Sequence, residues 1–200
     1  MQATEETVGS VSALPLAPLE HWMSRYQQSD PAAPGALVAS ISPALLRFFR
    51  CNWASRDLAE DLLQETFLKI HRMRRSYRPG EAVLPWVYAI ARNVRVDNYR
   101  RVRRIVEHET AADVLPEAAG RNDGLESALE FDALVAQLPD AQREVIVMLK
   151  ATGMTVEEVA RATSSTVGAV KLKAHRAYES LRALLTSRAP RRIGKQEDAR

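Results

Sequence analysis

Two hundred residues contain one cysteine, Cys51. No intramolecular disulfide can form, which points to a reducing compartment. Its sequence neighbours Phe48, Phe49 and Trp53 favour a buried thiol over a reactive one. Eight glycines and ten prolines are too few for a low-complexity chain. No apolar run approaches the roughly 20 residues that cross a bilayer. The N-terminus opens acidic and has no basic n-region, which argues against a secretory signal. A cytoplasmic protein is expected. Catalytic signatures are missing as well: there is no phosphate-binding Gly-rich loop, no HExxH, no CxxC pair, and no Ser or Cys nucleophile with a spaced His. Neither an enzyme nor a bound cofactor or metal is expected.

An apolar content of 46% is enough to pack one or two cores. Net charge is only +3, but it is unevenly distributed. Residues 37–106 carry 14 basic and 6 acidic side chains, residues 107–126 carry 1 and 6, and residues 127–185 carry 7 of each. A basic module, an acidic connector and a neutral module with basic clusters suggest a polyanionic partner.

The period is helical almost throughout, which predicts an all-α chain of two helical domains joined by a flexible acidic linker. Residues 1–35 read as a largely mobile extension with a short helix near Leu19–Gln27. Residues 36–106 form the first domain. Leu37, Ile41, Leu45, Phe48 and Phe49 share a face that Pro43 interrupts. A second helix spans 57–73. A third starts with Pro85 in its first turn and runs to about Arg104. Residues 107–126, with Pro116, Gly120 and Gly124, read as the linker. Residues 127–185 form the second domain, with helices near 127–137, 140–151, 155–163 and 166–185. Thr155 and Glu158 make a T-x-x-E capping box, and Gly153 suits the end of the helix before it. The tail 186–200 is basic and polar, hence disordered.

The last two helices read as a helix-turn-helix. Val170, Ala174, Ala177, Leu181 and Leu184 form the buried stripe of the second. Its other side carries Thr166, Ala169, Lys171, Leu172, Lys173, His175 and Arg176. Lys and Arg near a helix N-terminus suit phosphate contact, and the first two turns reach base edges in the major groove.

Tyr88, Arg92, Arg95, Tyr99 and Arg103 recur at steps of four, three, four and four. Rings for stacking and guanidinium groups for phosphate on one face suit unpaired DNA. Trp86, Asn93 and Arg100 flank them, and Tyr77, Pro79 and Gly80 form a loop able to shape a pocket for an extruded base. Asp57, Glu60, Asp61, Gln64 and Glu65 line a polar side of the second helix, with Leu68 as an apolar anchor. This face fits a basic protein partner. Metal ligation by Asp57, Asp61 and Glu65, as in a nuclease, is the enzymatic alternative, although no His completes the set. A duplex-binding helix-turn-helix regulator acting as a dimer is the other alternative.

In order along the chain, three strings resemble the extracytoplasmic-function group of bacterial RNA polymerase sigma factors. Asp57-Leu58-Ala59-Glu60-Asp61-Leu62-Leu63-Gln64-Glu65-Thr66-Phe67-Leu68 resembles the helix that docks on core polymerase. Pro85-Trp86-Val87-Tyr88-Ala89-Ile90-Ala91-Arg92-Asn93 with Asp97-Asn98-Tyr99-Arg100-Arg101 resembles the minus-ten recognition and melting segment. Leu138-Pro139 with Gln142-Arg143-Glu144-Val145, and Val167-Gly168-Ala169-Val170-Lys171 with His175-Arg176-Ala177, resemble the minus-thirty-five module. The resemblance implies docking on the clamp coiled coil of the largest polymerase subunit, promoter DNA as ligand, and inhibition by an anti-sigma factor. The Ala169-Val170-Lys171 and His175-Arg176 wording is similar to members paired with membrane-embedded anti-sigma proteins. Lys171-Leu172-Lys173 departs from the common Ser-Arg pair after the first Lys, so promoter preference does not carry over. Val83-Leu84-Pro85-Trp86 likewise departs from the common Phe-x-x-Trp.

Overall fold

The computed structural model describes residues 18–52, 56–108 and 126–188, and these are helical with short turns and no strand. Helix α1 (Leu19–Gln27) turns Met23 and Tyr26 into the core. Residues 19–35, expected to be largely mobile, therefore belong to the first module; residues 1–17 lie outside the described residues. Helix α2 (Ala33–Asn52) buries Leu37, Ile41, Leu45, Phe48 and Phe49, the face that its periodicity marked. The helix does not break at Pro43. Ala39, whose carbonyl loses its partner there, is exposed to water, and apolar anchors on both sides hold the axis. Truncating Phe48 or Phe49 to alanine is expected to cost about 3–5 kcal/mol.

Helix α3 (Arg56–Met73) buries Ala59, Leu62, Thr66 and Ile70, and the Thr66 hydroxyl donates to the Leu62 carbonyl at 2.7 Å. A 3-10 turn (Arg74–Ser76) and a loop lead into α4 (Val83–His108). Pro85 falls in the first turn of α4, where a missing N–H costs no intrahelical bond. Val83, Val87, Ile90, Ala91 and Val94 are buried at helical spacing, whereas Tyr99 to Arg104 are all exposed. The far end of α4 thus runs beyond the core.

The second module comprises α5 (Glu126–Val135), α6 (Asp140–Ala151), α7 (Val156–Ala162) and α8 (Val167–Arg188). The capping box forms as expected: Glu158 N donates to Thr155 Oγ1 at 3.2 Å, and Thr155 N to Glu158 Oε2 at 2.8 Å. Gly153 takes a φ of +69°, a left-handed value that glycine adopts without strain, and so ends α6 sharply. Val170, Ala174 and Ala177 are buried and Leu181 is half-buried; the two alanines let α8 lie close against α6 and α7.

The modules are packed together. Helix α2 lies against α6, α4 lies against α7, and buried side chains of both modules form one continuous cluster. At one edge Arg47 reaches Asp132 at 2.8 Å while its guanidinium covers the Phe131 ring at 5.1 Å. Of the expected linker, residues 109–125 lie outside the described residues, as do residues 189–200 of the tail.

Candidate nucleic-acid and partner interfaces

The acidic side of α3 faces solvent. Asp57, Asp61, Gln64 and Leu68 are exposed at steps of four, three and four, with Leu68 at 57% exposure. Glu60 and Glu65 are half-buried at the edges of this stripe, within ion-pair range of Arg50 (3.9 Å) and Lys69 (3.8 Å). Exposed carboxylates around one bare leucine make a surface for a basic partner with an apolar patch. Among the described residues no three His, Cys, Asp or Glu groups converge to hold a metal ion.

The single face expected on α4 is divided along its length. Tyr88 is fully buried, edge-on to Phe48 at 5.2 Å, and burial pushes its hydroxyl pKa well up. Tyr77 is also buried, its hydroxyl bonded to the Glu81 carbonyl and its ring edge-on to Trp86 at 5.7 Å. Neither tyrosine offers a free face to a base in this arrangement. Trp86 is half-buried and Asn93 exposed. Near the far end Tyr99, Arg100 and Arg103 are exposed, Tyr99 at 52%. Burial differs because α2, α3 and α7 pack on α4 but leave residues 99–104 exposed.

Arg92 and Arg95 sit between these ends, and each meets Glu144 of α6. Arg92 Nε lies 3.2 Å from Glu144 Oε1, and Arg95 Nη2 lies 3.0 Å from the same oxygen. The Glu144 side chain is only 6% exposed. A buried carboxylate is tolerable only when paired, and here the pairing comes from the other module. Sequence reading missed Glu144 as a partner of this face. Its one local signal is a carboxylate heading the apolar run Val145-Ile146-Val147-Met148, all of which are buried.

The start of α8 is open. Thr166, Lys171, Leu172, His175 and Arg176 are exposed, while Ala169 and Lys173 are half-buried. Thr166 has a structural task as well, since its hydroxyl accepts from Ala169 N at 3.2 Å and caps the helix. The turn before it places Ser164 at φ +51°. His175 lies 3.4 Å from Glu179, one turn on. Lys171, Leu172 and Arg176 leave the first three turns of α8 cationic and open to solvent.

Cys51 is buried, and burial together with the neighbouring Asp132 carboxylate pushes its thiol up to about 12. Among the described residues no helix is long and apolar enough to cross a membrane.

Comparison with known proteins agrees with this arrangement. A family model of sigma-70 region 2 matches residues 37–105, and one of sigma-70 region 4 matches residues 128–181. The chain is 35% identical to the RNA polymerase sigma factor CarQ of Myxococcus xanthus, over 82% of this chain and 95% of that one. It is 32% identical to the ECF RNA polymerase sigma factor SigF of Caulobacter vibrioides, over 82% and 91%. Among solved structures it resembles the sigma factor RpoE of Bartonella quintana, crystallised with the anti-sigma factor NepR. That match has a TM-score of 0.67 at 25% identity and covers 84% of this chain and 99% of that one. The fold also matches CnrH, solved with the cytosolic domain of CnrY, with a TM-score of 0.64 at 23% identity over 85% and 98%.

Proposed function

Because this chain belongs to the extracytoplasmic-function group of RNA polymerase sigma factors, we propose a division of promoter recognition among its three exposed surfaces. As a sigma factor it directs core polymerase to promoters and assists DNA opening. The acidic stripe Asp57, Asp61, Gln64 and Leu68 docks on the clamp coiled coil of the largest polymerase subunit. The first turns of α8, with Lys171, Leu172, Lys173, His175 and Arg176, read the upstream minus-thirty-five duplex. Asn93 and the far end of α4, with Tyr99, Arg100 and Arg103, hold the unpaired minus-ten strand, and Arg92 and Arg95 join them when Glu144 withdraws. The domain boundaries follow: residues 36–106 carry docking and melting, 127–185 carry duplex reading, and 107–126 connect them.

The observation that carries this reading is the separation of exposures. The acidic stripe, the cationic helix start and the aromatic–arginine helix end lie on three different elements, all open to solvent. No hydrolysis is involved, and the protein works beside polymerase in the cytoplasm. Strand opening draws on binding of exposed bases, with stacking of about 1–3 kcal/mol per base. Engaging two promoter elements at once requires the packed modules to part. An anti-sigma factor that holds them together inhibits the chain, and the solved RpoE–NepR complex supports a partner of this kind.

The test is transcription in vitro with purified core polymerase on promoters near the encoding locus. Initiation that depends on this chain is expected. Failure to bind core polymerase, or binding without initiation at any such promoter, overturns the reading.

A further inference from the structure

Helix α1 lies outside the residues that the region 2 family model matches, and it carries none of the three surfaces above. It does hold both ends of the segment between α3 and α4. At the entry, the Gln27 side-chain amide donates two hydrogen bonds, to the Arg74 carbonyl at 2.7 Å and to the Tyr77 carbonyl at 2.8 Å. At the exit, Glu20 Oε1 accepts from Val83 N, the first residue of α4, at 3.1 Å. Beside the entry, the Tyr26 hydroxyl lies 2.6 Å from His71 Nδ1, and the Arg74 guanidinium covers the Tyr26 ring at 5.6 Å.

Between these fixed ends the tip Arg78, Pro79, Gly80 and Glu81 is exposed. The tip is shaped from within: Glu81 N donates to the Arg78 carbonyl at 3.2 Å, and Gly80 takes a φ of +91° that a side chain would strain. Buried Tyr77 ties the tip to Trp86 at the start of α4. A loop of this length tied only by its own residues would sample many shapes, and ordering it on binding would cost affinity.

We propose that Gln27 and Glu20 are positioning residues for promoter selectivity: by clamping both ends of the 74–83 segment from α1, they preset the shape in which the Arg78–Glu81 tip meets an unpaired minus-ten base. Neither residue contacts DNA. The inference rests on the proposed function and on the expectation that the loop at Tyr77, Pro79 and Gly80 shapes a pocket for an extruded base beside α4.

The chemistry makes two isosteric changes behave differently. Gln27→Glu keeps the volume but replaces the two N–H donors with a carboxylate facing two carbonyl oxygens. Glu20→Gln keeps an oxygen that accepts from Val83 N. Each protein is assayed as a full chain with core polymerase on promoters substituted singly along the minus-ten element. Losing these bonds is expected to reduce base discrimination at one position by about tenfold in Gln27→Glu and in Glu20→Leu. Glu20→Gln keeps the wild-type preference. Affinity for core polymerase and for the upstream duplex stays unchanged in all three. Amide exchange across 78–81 speeds up in Gln27→Glu and Glu20→Leu alone.

Wild-type base preference retained in both Gln27→Glu and Glu20→Leu overturns the inference. So does Glu20→Gln behaving like Glu20→Leu, or an equal loss at every promoter position. If wild-type protein itself fails to initiate, the proposed function falls first. A selective wild-type protein with equally selective variants sinks only the positioning role. The two variants act at opposite ends of the loop, so misfolding of one leaves the other to decide.

Discussion

Arg95 of α4 and Glu144 of α6 approach to 3.0 Å across the junction of the two modules, and Glu144 has almost no exposure of its own. A carboxylate thus occupies a guanidinium that the promoter reading assigns to the unpaired strand. Arg92 shares the same carboxylate oxygen at 3.2 Å. Glu144→Gln removes the charge with little change of volume. The packed form should weaken by roughly 1–2 kcal/mol, at the lower end because the Arg92 side chain is a third exposed and screened by water. Free protein should then bind a single-stranded minus-ten oligonucleotide several-fold more tightly and show a larger radius of gyration by X-ray scattering. Unchanged binding and unchanged size would separate Glu144 from strand access.

Duplex and strand contacts should respond to different substitutions. Lys173→Ala is expected to weaken upstream duplex binding by about 1 kcal/mol and to flatten its salt dependence, since one phosphate neutraliser is lost. Tyr99→Ala, which removes a ring that is 52% exposed, is expected to cost about 1–3 kcal/mol in strand opening while sparing the duplex. Filter binding to the upstream duplex and permanganate footprinting of the opened strand read the two effects. Equal losses in both assays for both variants would remove the division of labour.

Asp61 projects from the middle of the exposed acidic stripe. Asp61→Arg reverses the charge there and should reduce affinity for core polymerase at least tenfold, because like charges across an interface cost several kcal/mol. Thermal stability should stay within about 0.5 kcal/mol, as for other exposed sites. Native gel shift with core polymerase and a melting curve together check this. A variant that binds core polymerase normally would move docking elsewhere.

Cys51 and Tyr88 predict alkaline sensitivity. The Cys51 thiol has its pKa raised from 9.0 to about 12 by burial and by Asp132, and burial raises that of Tyr88 as well. A raised folded pKa means that the folded state keeps its proton where the unfolded chain has lost it. Stability is therefore complete below about pH 9 and falls as pH climbs toward 12. Urea unfolding at pH 8 and pH 11 should show the drop, and Cys51→Ala should reduce its size. In the native state the thiol should react slowly with a disulfide reagent at pH 8, because the thiolate is scarce. Prompt labelling without unfolding would contradict the burial.

Local chemistry made much of this architecture readable from the chain alone. Thr155 with Glu158 announced the start of α7, Pro85 the first turn of α4, and Gly153 the end of α6, because caps and turn residues act on backbone groups a few positions away. The stripes Leu37, Ile41, Leu45, Phe48, Phe49 and Val170, Ala174, Ala177 were equally legible, since a buried helix face repeats along its own sequence. The ordered strings of motif pointed to the sigma family for the same reason. What lay beyond such reading was decided by distant parts of the chain. Tyr88 and Tyr99 share an angular face, yet one is enclosed and the other about half exposed, according to how the neighbouring helices pack on α4. Pro43 does not break α2, because anchoring contacts on either side outweigh one missing hydrogen bond. Glu144 meets Arg95 across 49 residues, and Gln27 meets Tyr77 across 50. Periodicity assigns a side chain to a face; only the packing of remote helices decides what that face meets, because burial and charge pairing depend on proximity in space and not along the chain.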